Sequence, residues 1–183
     1  MPSGFDLDNN GSIGGPNDAF GFGFFEGQYA FVVYSMYPID NSNVRTFQNF
    51  LWKDMPGALL PEYGDGTPWF TDEELDVVRL SSKNHVDVPI SVGSETIHFL
   101  VSHPTPPVFD GDEDRNGKRN HDEIRFWADY VGGGNTGAYI YDDAGGVPGN
   151  SLWSRIFLST EVTIISPYGQ GVQGFLVPEG PAW

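Results

Sequence analysis

Phe99–Val131 reads FLVSHPTPPVFDGDEDRNGKRNHDEIRFWADYV, and the architecture of the chain follows from how that stretch divides. It starts as a strand that ends at His103, where Pro104, Pro106 and Pro107 stiffen the exit. An acidic loop follows. Apolar residues then return at helical spacing, with Ile124, Trp127 and Val131 on one stripe and Phe126 and Tyr130 beside it. The helix should stop at Gly132-Gly-Gly134.

Upstream, Asn84–Val92 (NHVDVPISV) and Glu95–His103 (ETIHFLVSH) alternate in polarity across Gly93-Ser94, which predicts a β-hairpin. Ile97, Phe99, Val101 and His103 share one face of the second strand, and Thr96, His98, Leu100 and Ser102 the other. His103 therefore carries a buried face to the tip of its strand. Thr71-Asp-Glu-Glu74 spells a capping box and predicts a helix over Asp72–Leu80. Residues 41–68 form a long excursion with a short helical turn at most. Gln28–Ile39 (QYAFVVYSMYPI) has the composition of a buried strand, and Phe20–Phe25 (FGFGFF) that of a loop packed on the core. Downstream, Ala138–Tyr141 reads as a short strand, and RIFLSTEVTII and GVQGFLV, within 155–177, as two more.

Composition narrows the function. A chain of 183 residues, 39% hydrophobic, with 24 Gly and 14 Pro, suits one strand-rich domain or part of a larger one. A net charge of -16 disfavours a standing surface for nucleic-acid backbone or anionic membrane. A phosphate substrate is compatible only where cations reverse the local field. No cysteine is present, which excludes disulfides, zinc–thiolate sites and thiol nucleophiles. No apolar run is long enough to span a bilayer, and no signal peptide is evident. The abrupt start at Met-Pro-Ser-Gly reads as an internal cut.

Two acidic runs invite a hard cation. Asp6, Asp8 and Asn10 alternate ahead of Gly11, the first half of an EF-hand-like loop, although Asn17 stands where a bidentate Glu is usual. A Gly/Asn/Asp turn cluster explains the same residues. The second run, DEDRNGKRNHDE, sets Asp112, Asp114 and Asn116 ahead of Gly117 in register with Glu123 at the twelfth position. There the competing explanation is a helix start, with Asn120 and Glu123 as its capping pair. At the strand ends His103, Lys83 and His85 reach one edge, where an imidazole, an ammonium and a second imidazole suit a phosphate. Asp142 and Asp143 read as metal ligands or, more simply, as a turn.

In order and spacing these pieces resemble the endonuclease/exonuclease/phosphatase superfamily, in a bacterial branch with acidic insertions. QYAFVVYSMYPI is similar to the family's Ser-x-x-Pro-Ile strand. RLSSKNHVDVPI with ETIHFLVSHPTPP is similar to its paired strands, and RNHDEIRFWADYV to the helix that follows. The resemblance covers roughly residues 15–145 and implies a deoxyribonuclease-like four-layer α-β-β-α sandwich, an α/β (α+β) fold. It also implies Mg²⁺-dependent attack of water on a phosphoester, with His103 against the scissile phosphate. The family's early Asn and metal-binding Glu, its Gly-Asp-x-Asn strand and its Ser-Asp-His are not matched. Residues 1–147 therefore read as the central part of such a domain, and 148–183 as a continuation without its motifs. That makes the isolated chain an inactive piece of a phosphodiesterase, nuclease or phosphatase. A different class competes with it: a secreted calcium-stabilised binding module without catalysis, in an extracellular or periplasmic setting.

Overall fold

Gly93, at φ +63°, supplies the left-handed position that a two-residue connection needs, and the hairpin predicted around it forms. The computed structural model describes residues 1–147 and the backbone of 156–159. Strand β1 (Arg45–Thr46) pairs antiparallel with β2 (His85–Val92), and β2 with β3 (Glu95–Ser102). The backbone of β4 (Ile156–Ser159) lies parallel to the far edge of β3. The other strand-like residues expected within 155–177 lie outside the described ones. Among the described residues the chain is a mixed α/β structure with one sheet. No helix there is long and apolar enough to cross a membrane.

Helix α1 (Asp72–Leu75) is shorter than the expected Asp72–Leu80, but its capping box is intact. Thr71 Oγ1 accepts from the Glu74 amide at 3.3 Å, and Glu74 accepts from the Thr71 amide at 2.8 Å. The chain leaves the helix because Val78 and Leu80 pair with 50–52 instead, through Trp52 N to Val78 O and Leu80 N to Phe50 O.

Helix α2 (Arg115–Gly132) lies on one face of the sheet. Its buried stripe is Phe126, Trp127 and Tyr130, while Ile124 is 45% exposed, so the true stripe is turned from the expected one. Those three rings pack with Phe47, Phe50, Trp52 and Leu100 into the main core. Burial of each such side chain contributes about 1.5–3 kcal/mol. Polar atoms of the same face find partners. Trp127 Nε1 donates to Ser102 at 2.9 Å, and the Tyr130 hydroxyl to Asp87 at 2.7 Å. Val86, Val88 and Val101, on the other face, are buried outside that core.

Three expectations fail. Gln28–Ile39 forms no strand: Gln28 and Tyr29 lie in a turn, Met36 and Tyr37 in a bend, and among the described residues only Ile39 bridges another strand, with Val32 64%, Tyr34 89% and Met36 98% exposed. It joins the sheet's ladder at its end, where Asp40 N donates to Pro89 O and Ser91 N to Pro38 O. Pro38 and Pro89 have no amide hydrogen to continue that ladder, and β1 already holds β2 at 86–87. Phe20–Phe25 does not pack on the core either: Phe24 and Phe25 are exposed. Ala138–Tyr141 is a turn rather than a strand. Ile140 still enters the core, and the Tyr139 and Tyr141 hydroxyls donate to Asp129 and Asp54.

Candidate functional site

The strand ends that carry Lys83 and His103 are held by one buried carboxylate. Glu123, on α2, accepts from the Ser82 amide at 2.8 Å and from the Thr105 amide at 2.5 Å. It thereby ties the residue before Lys83 to the loop after His103. Burial pushes its carboxyl up; the half-buried Arg119 and the two amides oppose that. Arg119 in turn donates to the carbonyls of Leu80 and Arg79. The whole edge is one braced unit.

On it, Lys83 and His103 both lie against Tyr29. The Lys83 ammonium is 5.2 Å from the Tyr29 ring centre, and the His103 ring packs edge-on to the same ring at 6.1 Å. His103 Nδ1 lies 3.1 Å from the Tyr29 carbonyl, a contact that assigns its proton to Nδ1 and leaves Nε2 open. Burial lowers the His103 pKa, and Lys83 lowers it further. Burial also brings Lys83 down to about 8, assisted by Arg119.

His85 is not part of this edge. Its ring is 1% exposed, lies 4.8 and 5.0 Å from Phe126 and Trp127, and bonds the Glu123 carbonyl through Nε2 at 2.8 Å. Burial drops its pKa to about 4, so it is a neutral core histidine. Strand alternation places it on the face covered by α2, opposite to the face that ends at His103.

The second acidic run does not gather around an ion. Helix α2 begins at Arg115, so Asn116 and Glu123 are separated by about 10 Å of helix at 1.5 Å per residue. Asp112 and Asp114 are exposed, and Glu123 faces the sheet. Nor do Asn120 and Glu123 cap the helix. Asp110 does so from outside it, accepting from the Asn116 and Gly117 amides, while Asn120 bonds the Thr105 carbonyl.

The first run stays a loop. Asp6, Asp8 and Asp18 bring carboxylate oxygens within 4.8 Å of one another and could hold a metal ion. Asp18 replaces Asn10 in this set; the Asn10 side chain accepts from the Ser12 amide. Asp18 is fully buried and accepts from the amides of Leu7, Gly14 and Gly15. The signal was a second carboxylate directly after Asn17, one residue beyond the expected position. An all-oxygen anionic set fits hard cations such as Ca²⁺ or Mg²⁺. Asp142 and Asp143 are turn residues: Asp142 pairs with Arg45 at 2.8 Å, and Asp143 accepts from Thr46, Gln48 and Asn49.

Beside Lys83 opens a cavity of about 490 Å³, lined by Phe20–Gly23, Phe25–Gln28, Phe31, Gln48 and Arg79–Asn84 apart from Leu80. Sequence reasoning missed it because the loop 20–31 reads as core. Gly21 shows why that loop closes it: a Cβ there would sit 1.5 Å from the Ser82 carbonyl oxygen, so only glycine allows this approach. A smaller cavity shares Phe20, Phe22, Arg79 and Ser82 with it and reaches Asp8. No protein-family model, curated protein or solved structure matches the chain.

Proposed function

We propose that this chain belongs to a metal-dependent phosphoester hydrolase of the endonuclease/exonuclease/phosphatase type, with the phosphate bound between Lys83 and His103. The observation that carries this is the braced edge itself. In a chain of net charge -16, a lysine and a histidine are both held against Tyr29, next to a cavity that also contains Arg79. In this reading Lys83 supplies charge to the phosphate, and the open Nε2 of His103 meets an oxygen of it. Glu123 is a positioning residue for both. A divalent ion would neutralise developing charge on the phosphate; Asp6, Asp8 and Asp18 are the residues that would hold it. The reading also implies a second sheet packed over Val86, Val88 and Val101, as the four-layer sandwich requires.

Titration calorimetry with inorganic phosphate tests this. Lys83→Ala and His103→Ala should each weaken binding about tenfold, in line with the loss of a charge-assisted hydrogen bond. Binding should also fade as pH rises past about 8, where Lys83 loses its charge. Affinity untouched by both substitutions rejects the reading. A second reading, a calcium-stabilised module without catalysis, is favoured by the Asp6–Asp8–Asp18 cluster alone. It predicts a calcium-dependent melting temperature and no phosphate binding.

A further inference from the structure

The large cavity has two kinds of wall. One is cationic and polar. The Arg79 guanidinium carbon lies over the Phe20 ring, 4.1 Å from its centre, and among the described residues Arg79 makes no ion pair. Ser81 is 2% exposed, yet its hydroxyl has no partner among the described residues, and buried hydroxyls are rarely left so. Lys83 and Asn84 complete that wall, and exposed Glu26 is the one carboxylate in the lining among the described residues. The other wall is aromatic. Phe22 is 39% exposed and Phe25 68%, with Phe31 beside them. Phe25 packs on no other ring among the described residues. The volume, about 490 Å³, is that of a small-molecule site, for which roughly 300–1,000 Å³ is usual.

We propose that this cavity selects a phosphate ester whose esterified group carries a planar ring, an aryl or nucleoside phosphate. This rests on the phosphate reading above and names the substrate class of that site. Lys83 takes the phosphate together with His103, Arg79, Ser81 and Asn84 offer it further polar groups from the cavity wall, and Phe22 and Phe25 stack on the ring. Open-chain and sugar phosphates leave both rings in water. Extended nucleic acid is opposed by the field of the whole protein, whereas a single phosphate is met by the local cations.

The test is titration calorimetry of the chain with adenosine 5′-monophosphate, ribose 5-phosphate and inorganic phosphate. The nucleotide should bind about tenfold or more tightly than ribose 5-phosphate, the usual effect of one stacked base. Replacing both exposed rings, Phe22→Ala with Phe25→Ala, should erase that preference and leave ribose 5-phosphate binding unchanged. Equal binding of nucleotide and ribose 5-phosphate overturns the ring selection while the phosphate reading stands. No binding of any of the three overturns both.

Discussion

Residues 6–18 and 112–123 are spelled almost alike, with acids two apart, then Asn-Gly, yet they end as different objects. The first remains a loop whose three carboxylates converge on one another. The second is drawn into α2, and its last acid becomes a buried brace between two strand ends. The difference lies outside the runs. Phe126, Trp127 and Tyr130 follow the second at helical spacing and bury completely, and the helix they drive reaches back to Arg115. No such stripe follows the first. A ligand-like spacing thus means little until the neighbouring periodicity is known.

The contrast can be broken most forcefully at Glu123. Glu123→Ala leaves the Ser82 and Thr105 amides unpaired in the core and should lower unfolding free energy by about 2–6 kcal/mol in denaturant titration. The loss should be the same with calcium or chelator present. A loss that appears only with calcium would restore the ion-binding loop. Acid should separate the two regions next. The unfolded chain takes a proton on His85 near pH 6.5, but the folded one only near 4, so stability falls as pH drops through that window. The size is roughly 3 kcal/mol at most, read from the melting temperature of wild type against His85→Gln. The first run responds later. Burial pushes Asp8 up, but bonds from Asn17 and Asn10 hold it below the ordinary 3.8, so its contribution persists until pH falls below that value.

Calcium addresses the first run alone. If its three carboxylates bind the ion, stability should rise by about 2.7 kcal/mol at a hundredfold excess over the dissociation constant. Asp6→Asn should remove that rise; a rise that survives it places the ion elsewhere. Asp112→Asn, at an exposed position, should change stability by less than about 0.5 kcal/mol and leave any calcium response intact.

Much of this was legible in the residues. The hairpin was, because its turn glycine and its alternation agree. So were α2 and the capping box of α1, where periodicity and local hydrogen bonding point the same way. Glu123 was not, since its partners, Ser82 and Thr105, are distant in sequence and offer only backbone. Asp18 was hidden by an insertion of one residue relative to the expected loop. Gln28–Ile39 misled because composition reports a residue's fitness for a sheet, not whether a partner edge exists. His85 and His103 looked equivalent at the strand ends; only the position of α2 tells the covered face from the open one.

The unpaired run from Phe31 to Tyr37 has a consequence for handling the protein. A protease active site draws its substrate into an extended strand, and among the described residues no ladder hydrogen bond holds this run back from that form. It also offers Tyr34, Met36 and Tyr37 as exposed large side chains. A chymotrypsin-like enzyme should therefore nick the chain here before it touches the hairpin or α2. The segment is thus a built-in clock for preparation quality, with the first band on a gel marking its age.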